Sequence, residues 1–332
     1  MQTICWNQTH LNYEFHCVKA TGGIQLGLHR LYRQRGSHER GKEAVTGTPV
    51  LMLADFMEDQ SIFFPDMEHS KPDTRLGLAP MLASEGYDVF MLDLRGKGRS
   101  WPALSGEQNW GLHQAIMEDI PSHLTAVARL RPGCPQIWIG KGLGSVLLTC
   151  AYARIDVLPA QVLGIAHLGA GRQSLLANMG KAIRDQVWRL SQQLSGLLFG
   201  QVKGALLGPA QESRQLAKEW RNWRMNPEWR DPYDGFNFRL ALKQKTLPSC
   251  LYMNVKSSSG AGDLMDCKHW LEELGEHDAI VMAISRASGN LHNYSGRELL
   301  THKDAIDDHL LNLHHWLVHI CRGSPESEKK LA

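Results

Sequence analysis

Between Gln136 and Ala153 an apolar run, Gln136-Ile137-Trp138-Ile139, passes through Gly140-Lys141-Gly142-Leu143-Gly144 into the helix-like stretch Ser145-Val146-Leu147-Leu148-Thr149-Cys150-Ala151-Tyr152-Ala153. Glycines at alternate positions let a strand turn into a helix with almost no intervening loop, because they tolerate positive φ and close backbone approach. A junction that tight suits a parallel sheet whose strands lead directly into covering helices. The rest of the chain repeats the same rhythm. Pro49-Val50-Leu51-Met52-Leu53 and Tyr87-Asp88-Val89-Phe90-Met91-Leu92 read as buried strands, separated by a helix-like Leu76 to Glu85 that ends at Gly86. A helix around Gln114 to Leu130 follows, then the strand at Gln136, the glycine turn, and a strand from Val162 to Leu168.

Thr21-Gly22-Gly23 divides residues 13 to 33 into two short strands, an antiparallel hairpin signal. A polar linker runs from Gln34 to Thr48. The strand-helix alternation breaks between Arg172 and Lys245, where Gln, Arg and Trp recur at helical spacing, and resumes with strands Ser249 to Val255 and Ala279 to Ser285 around a helix from Asp266 to Leu274. A final amphipathic helix is expected from Asp304 to Ile320. The division that follows is a core of residues 1–171 and 246–322, a helical cap insertion at 172–245, and a charged tail at 323–332 expected to be disordered.

Composition narrows the functional classes. The 36 basic and 34 acidic residues nearly cancel and form no basic stripe, which argues against a nucleic-acid partner. No apolar run approaches the roughly 20 residues of a membrane helix. Asn7, Gln8, His10, Asn12 and Glu14 interrupt any leader-like apolar segment. The 7 cysteines are odd in number, dispersed and without a C-x-x-C pair, as expected of reduced thiols in a cytoplasm. No cofactor and no metal is expected; His314 and His315 are adjacent and so point to different helix faces. The glycines from Gly140 lack the third-glycine spacing of a dinucleotide fingerprint.

Asp93-Leu94-Arg95-Gly96-Lys97-Gly98-Arg99-Ser100 resembles the D-x-R-G-x-G-x-S segment of the α/β-hydrolase superfamily. The strand-to-helix turn resembles its nucleophile elbow, G-x-S-x-G. Gly289-Asn290-Leu291-His292-Asn293-Tyr294 resembles the loop that carries the catalytic histidine, and Ala261-Gly262-Asp263 stands where the family's acid would. Trp229-Arg230-Asp231-Pro232-Tyr233-Asp234-Gly235-Phe236 is similar to a segment of bacterial esterase- or lipase-like members that have a helical cap.

This resemblance implies an α/β fold with a mostly parallel sheet, an N-terminal antiparallel hairpin and a helical cap. It also implies His292 and Asp263 as retained catalytic positions, with Asp266 as the alternative acid and Gly142 at the nucleophile position in place of serine. Ala54-Asp55 replaces the family's His-Gly in the oxyanion loop, so a carboxylate stands near the site of developing negative charge. Lys141 and Leu143 flank the apex. Ser145, in the first helical turn, is read as a locally bonded hydroxyl rather than a displaced nucleophile. Asp93, Arg95, Gly96 and Gly98 are read as structural, the Asp-Arg pair bracing their loop.

The functional expectation is a degenerate or non-catalytic member that binds a ligand or partner. A small apolar or acyl ligand would lie under the cap near Trp101, Trp220, Trp223 and Trp229. The alternative is an active carboxylic-ester hydrolase in which His292 and Asp263 activate water without a covalent serine intermediate.

Overall fold

The computed structural model describes residues 2–33, 47–65, 77–105, 108–158, 160–173, 201–202, 210–255 and 264–323. The main strands are β1 (Gln2–Trp6), β2 (Thr9–Lys19), β3 (Gln25–Arg33), β4 (Pro49–Leu53), β5 (Asp88–Leu92), β6 (Gln136–Lys141) and β7 (Val162–Leu168). A small antiparallel pair follows, β8 (Gln201–Val202) with β9 (Glu212–Ser213), and then β10 (Ser249–Val255) and β11 (Ala279–Ile284). Among the described residues nine strands form one sheet in the order β1-β2-β3-β5-β4-β6-β7-β10-β11. From β5 to β11 all neighbours in this sheet are parallel, and β1, β2, β3 and β5 are joined antiparallel.

Alternation within each buried strand divides the apolar residues between two faces. Leu51, Leu53, Phe90, Leu92, Trp138 and Tyr252 pack with the helices Ile120–Leu130 and Leu143–Arg154 on one side. Val50, Met52, Val89, Met91, Ile139 and Met253 pack with Leu78–Ser84 and His309–Arg322 on the other. Both faces are covered, which is why these strands read as continuous apolar runs rather than as polar-apolar alternation.

The hairpin expected within residues 13 to 33 is β2 with β3, turning through Thr21–Gly23, and β1 adds a strand that sequence inspection does not pick out. The last helix begins at His309 instead of Asp304. Asp308 is the cause: its carboxylate accepts bonds from Asn290, the Leu291 amide and the Tyr294 hydroxyl, so it anchors a neighbouring loop. Within 172–245 the described residues form the helices Arg214–Met225 and Phe238–Lys243 and the β8–β9 pair. Of the linker expected from Gln34 to Thr48, residues 34–46 lie outside the described residues, as do 174–200 and 203–209 of the expected cap and the tail after Gly323. No helix among the described residues is long and apolar enough to cross a membrane.

Candidate functional site

The end of β6 and the start of the Leu143–Arg154 helix meet at Gly142, whose φ of 49° and ψ of −116° form the apex of a sharp strand-to-helix turn. The turn sits hard against the end of β4. A Cβ on Gly144 would overlap the carbonyl oxygens of Leu53 and Ala54, and one on Gly140 would overlap the backbone of Ser145. Glycine at these two positions therefore follows from packing. Ser145 is buried and its hydroxyl donates to the Gly140 carbonyl at 2.6 Å, so it closes the turn from inside.

At Gly142 the obstruction is a side chain. A Cβ there would coincide with the Asp55 carboxylate. Asp55 Oδ1 accepts the Leu143 amide at 2.7 Å and the Phe56 amide at 2.7 Å. One of these donors follows the elbow apex and the other lies in the loop after β4. In serine hydrolases of this architecture, donors from those two places form the oxyanion hole. Here a single carboxylate oxygen of the chain takes both.

Charged groups extend beneath this arrangement. Lys141, only 5% exposed, donates to Glu58 Oε1 and Oε2 at 2.7 and 2.8 Å and lies 3.8 Å from Asp55 Oδ2. Burial pushes the Glu58 carboxyl above its ordinary range, with Asp55 adding to the rise and the Lys141 ammonium opposing it. Lys97 pairs with Glu212 at 2.7 Å and donates to the Asp55 carbonyl at 3.3 Å, while Glu212 accepts the Met57 amide at 3.4 Å. The loop from Ala54 to Glu58 is thus held by ion pairs from Lys141 of β6 and by backbone hydrogen bonds to the paired Lys97 and Glu212. Ala54 and Leu143 are buried at its edges.

His292 follows β11 and is half-buried, its Nε2 2.7 Å from Asp304 Oδ2. His302 Nδ1 lies 3.8 Å from the same oxygen, and the two imidazole centroids are 4.5 Å apart. Asp263 lies outside the described residues. Asp266 is buried in the first turn of Leu264–Leu274, beside Gly171.

Trp220, Trp223 and Trp229 are buried, and Trp229 packs on Trp270 with centroids 5.0 Å apart. Trp101 is exposed. Asp93 accepts from the Arg99 amide at 2.9 Å and contacts His29 Nε2 at 2.8 Å. Arg95 bonds Asp119 and Glu118 rather than the Asp93 expected beside it.

Glu58, Lys97 and Glu212 join the elbow cluster, and His302 and Asp304 join His292, from outside the residues the sequence singles out. The i, i+3 spacing of Asp55 and Glu58 was the available signal for one of them.

A family model described as serine aminopeptidase, S33, matches residues 68–194. An esterase from Exiguobacterium antarcticum aligns at 13% identity with a TM-score of 0.57, covering 92% of this chain and 99% of the esterase. A carboxylesterase from Nitrososphaera gargenis aligns at 12% identity and TM-score 0.55, covering 94% of this chain and 100% of its own. A haloalkane dehalogenase loop variant from Bradyrhizobium elkanii aligns at 15% identity and TM-score 0.56, covering 96% and 99%. No curated protein sequence matches this chain.

Proposed function

We propose that this chain, which has the α/β-hydrolase fold, is a non-catalytic member that retains the nucleophile elbow as a structural turn and binds a ligand or partner. The observation that carries this reading is the Asp55 carboxylate on the Leu143 and Phe56 amides. Acyl transfer needs a hydroxyl or thiol at the apex beside a base, and Gly142 has no side chain. It also needs free donors for the oxyanion, each worth about 2.7–4 kcal/mol in the transition state. With Asp55 in place those donors already serve an anion, and a second negative charge there would be repelled.

The test compares the wild type, Gly142→Ser and the double variant Asp55→Gly/Gly142→Ser, using a fluorophosphonate probe and short- and medium-chain nitrophenyl esters. Wild type and Gly142→Ser are expected to stay unlabelled and to turn over no ester, because Asp55 still fills the space and takes both amides. Labelling of the double variant alone would identify Asp55 as the block. Wild-type turnover that disappears in His292→Ala would overturn the reading in favour of water activated by that histidine.

A further inference from the structure

We propose that His292, His302 and Asp304 form a binding site for one divalent first-row transition-metal ion, with Zn²⁺ the best fit. The three side chains each offer one ligand atom, and these atoms lie within 4.8 Å of one another. His292 Nε2 is 2.7 Å and His302 Nδ1 3.8 Å from Asp304 Oδ2. A tetrahedral Zn²⁺ with bonds near 2.0–2.1 Å holds its ligand atoms about 3.3 Å apart, so Asp304 Oδ2 would move about 0.6 Å away from His292 Nε2, giving up that hydrogen bond, and about 0.5 Å toward His302 Nδ1. His302 Nδ1 accepts the Asp304 amide at 3.2 Å, which places its ring proton on Nε2 and turns the Nδ1 lone pair toward the Asp304 backbone, so a metal at Nδ1 would take that lone pair in place of the amide.

Charge favours a cation here. Among the described residues, Asp304 forms ion pairs with these two imidazoles and with no lysine or arginine. The Glu298 carboxylate interacts electrostatically with both rings and adds negative charge. When the imidazoles are neutral, the Asp304 and Glu298 carboxylates give the cluster negative charge. The comparable group of His113, Asp231 and Asp234 differs, because the Arg154 guanidinium bonds both of its carboxylates and already supplies the positive charge.

The supporting structure is also in place. The Tyr294 ring meets His292 and His302 edge-on, and its hydroxyl donates to Asp308, which in turn accepts the Leu291 amide. The His292 loop and the turn carrying His302 and Asp304 are thereby tied together. Side-chain exposures of 35%, 24% and 33% leave the donors reachable from solvent, with room for a water as fourth ligand. Two imidazoles and one carboxylate suit Zn²⁺ and its first-row neighbours, whereas Mg²⁺ and Ca²⁺ prefer all-oxygen sites. A metal on His292 Nε2 would use the lone pair that an acid-base role requires, so the two roles exclude each other.

The site is independent of the elbow, and its test does not involve ester turnover. Tag-free protein stripped with chelator is titrated with Zn²⁺ by calorimetry and with Co²⁺ by visible absorption. Saturable 1:1 binding with Co²⁺ d–d bands is expected, weakened in His302→Ala and in Asp304→Asn by more than the roughly 10–100-fold that loss of an outer-shell partner costs, and unchanged in His315→Ala. In the wild type, Zn²⁺ should also protect His292 and His302 from diethylpyrocarbonate, a readout that requires no variant to fold. Absence of saturable binding, binding indifferent to both variants, or absence of protection would overturn the proposal.

Discussion

Replacing Lys141 by methionine should destabilise the protein, and by more at pH 8 than at pH 4.5. Lys141 and Glu58 are 5% and 8% exposed and share two contacts of 2.7 and 2.8 Å. Methionine preserves the volume but leaves the Glu58 carboxylate buried without its cation, a change that costs about 3–5 kcal/mol. The pH dependence follows from the raised Glu58 pKa, caused first by burial. A carboxyl whose folded pKa is raised holds a proton that the unfolded chain has lost, so stability falls as pH rises from the ordinary 4.5 through the raised value. Removing Lys141 takes away the group that opposed the rise, and the window widens upward. Near pH 4.5 the acid is largely neutral and the loss should shrink to about 1–3 kcal/mol, the cost of a buried polar group without a partner. Urea unfolding followed by tryptophan fluorescence at both pH values measures the difference. Lys141→Met/Glu58→Leu should recover most of the loss, because the charge is then removed with its partner. A midpoint for Lys141→Met at pH 8 equal to that of the wild type would refute the argument that this pair is buried and coupled.

Arg172 is fully buried, ion-paired with Glu273 and donating to the carbonyls of Trp223, Asn226 and Pro227, so Arg172→Met should cost about 3–5 kcal/mol in urea unfolding. The same change should alter tryptophan emission, since the guanidinium lies over Trp229 at 5.6 Å. Burial holds His123 down to about 4 and His167 to about 3, well below the ordinary 6.5. Groups with depressed pKa contribute stability that is present above the unfolded value and lost as pH falls, so an acid limb should begin below pH 6.5. His167→Phe, which keeps the stack on Tyr252, should make that limb shallower when melting temperature is recorded from pH 7 to pH 4; an unchanged limb would count against His167 as a contributor.

The parallel strands were legible because each carries buried residues on both faces, and Val50 to Leu53 or Val89 to Leu92 can sit only in the middle of a covered sheet. β1 was not, since Ile4 and Trp6 are its only buried apolar residues and the signal is two positions long. The start of the last helix was misplaced because Asp308 is engaged by a loop 14 to 18 residues earlier, a distance that local pattern does not register. The same limit governs the site. Gly142 and Asp55 could be singled out by residue type, but Lys141 meets Glu58 across 83 residues, and Lys97 meets Glu212 only through the fold. In the fold the two singled-out residues occupy one space. A side chain at 142 and the carboxylate of Asp55 exclude each other, so the glycine and the aspartate act as one structural unit. Substitution of the pair has a required order. Asp55→Gly leaves the elbow free of its occupant and its two amides without an acceptor, whereas any side chain introduced at 142 first must displace a carboxylate held by both.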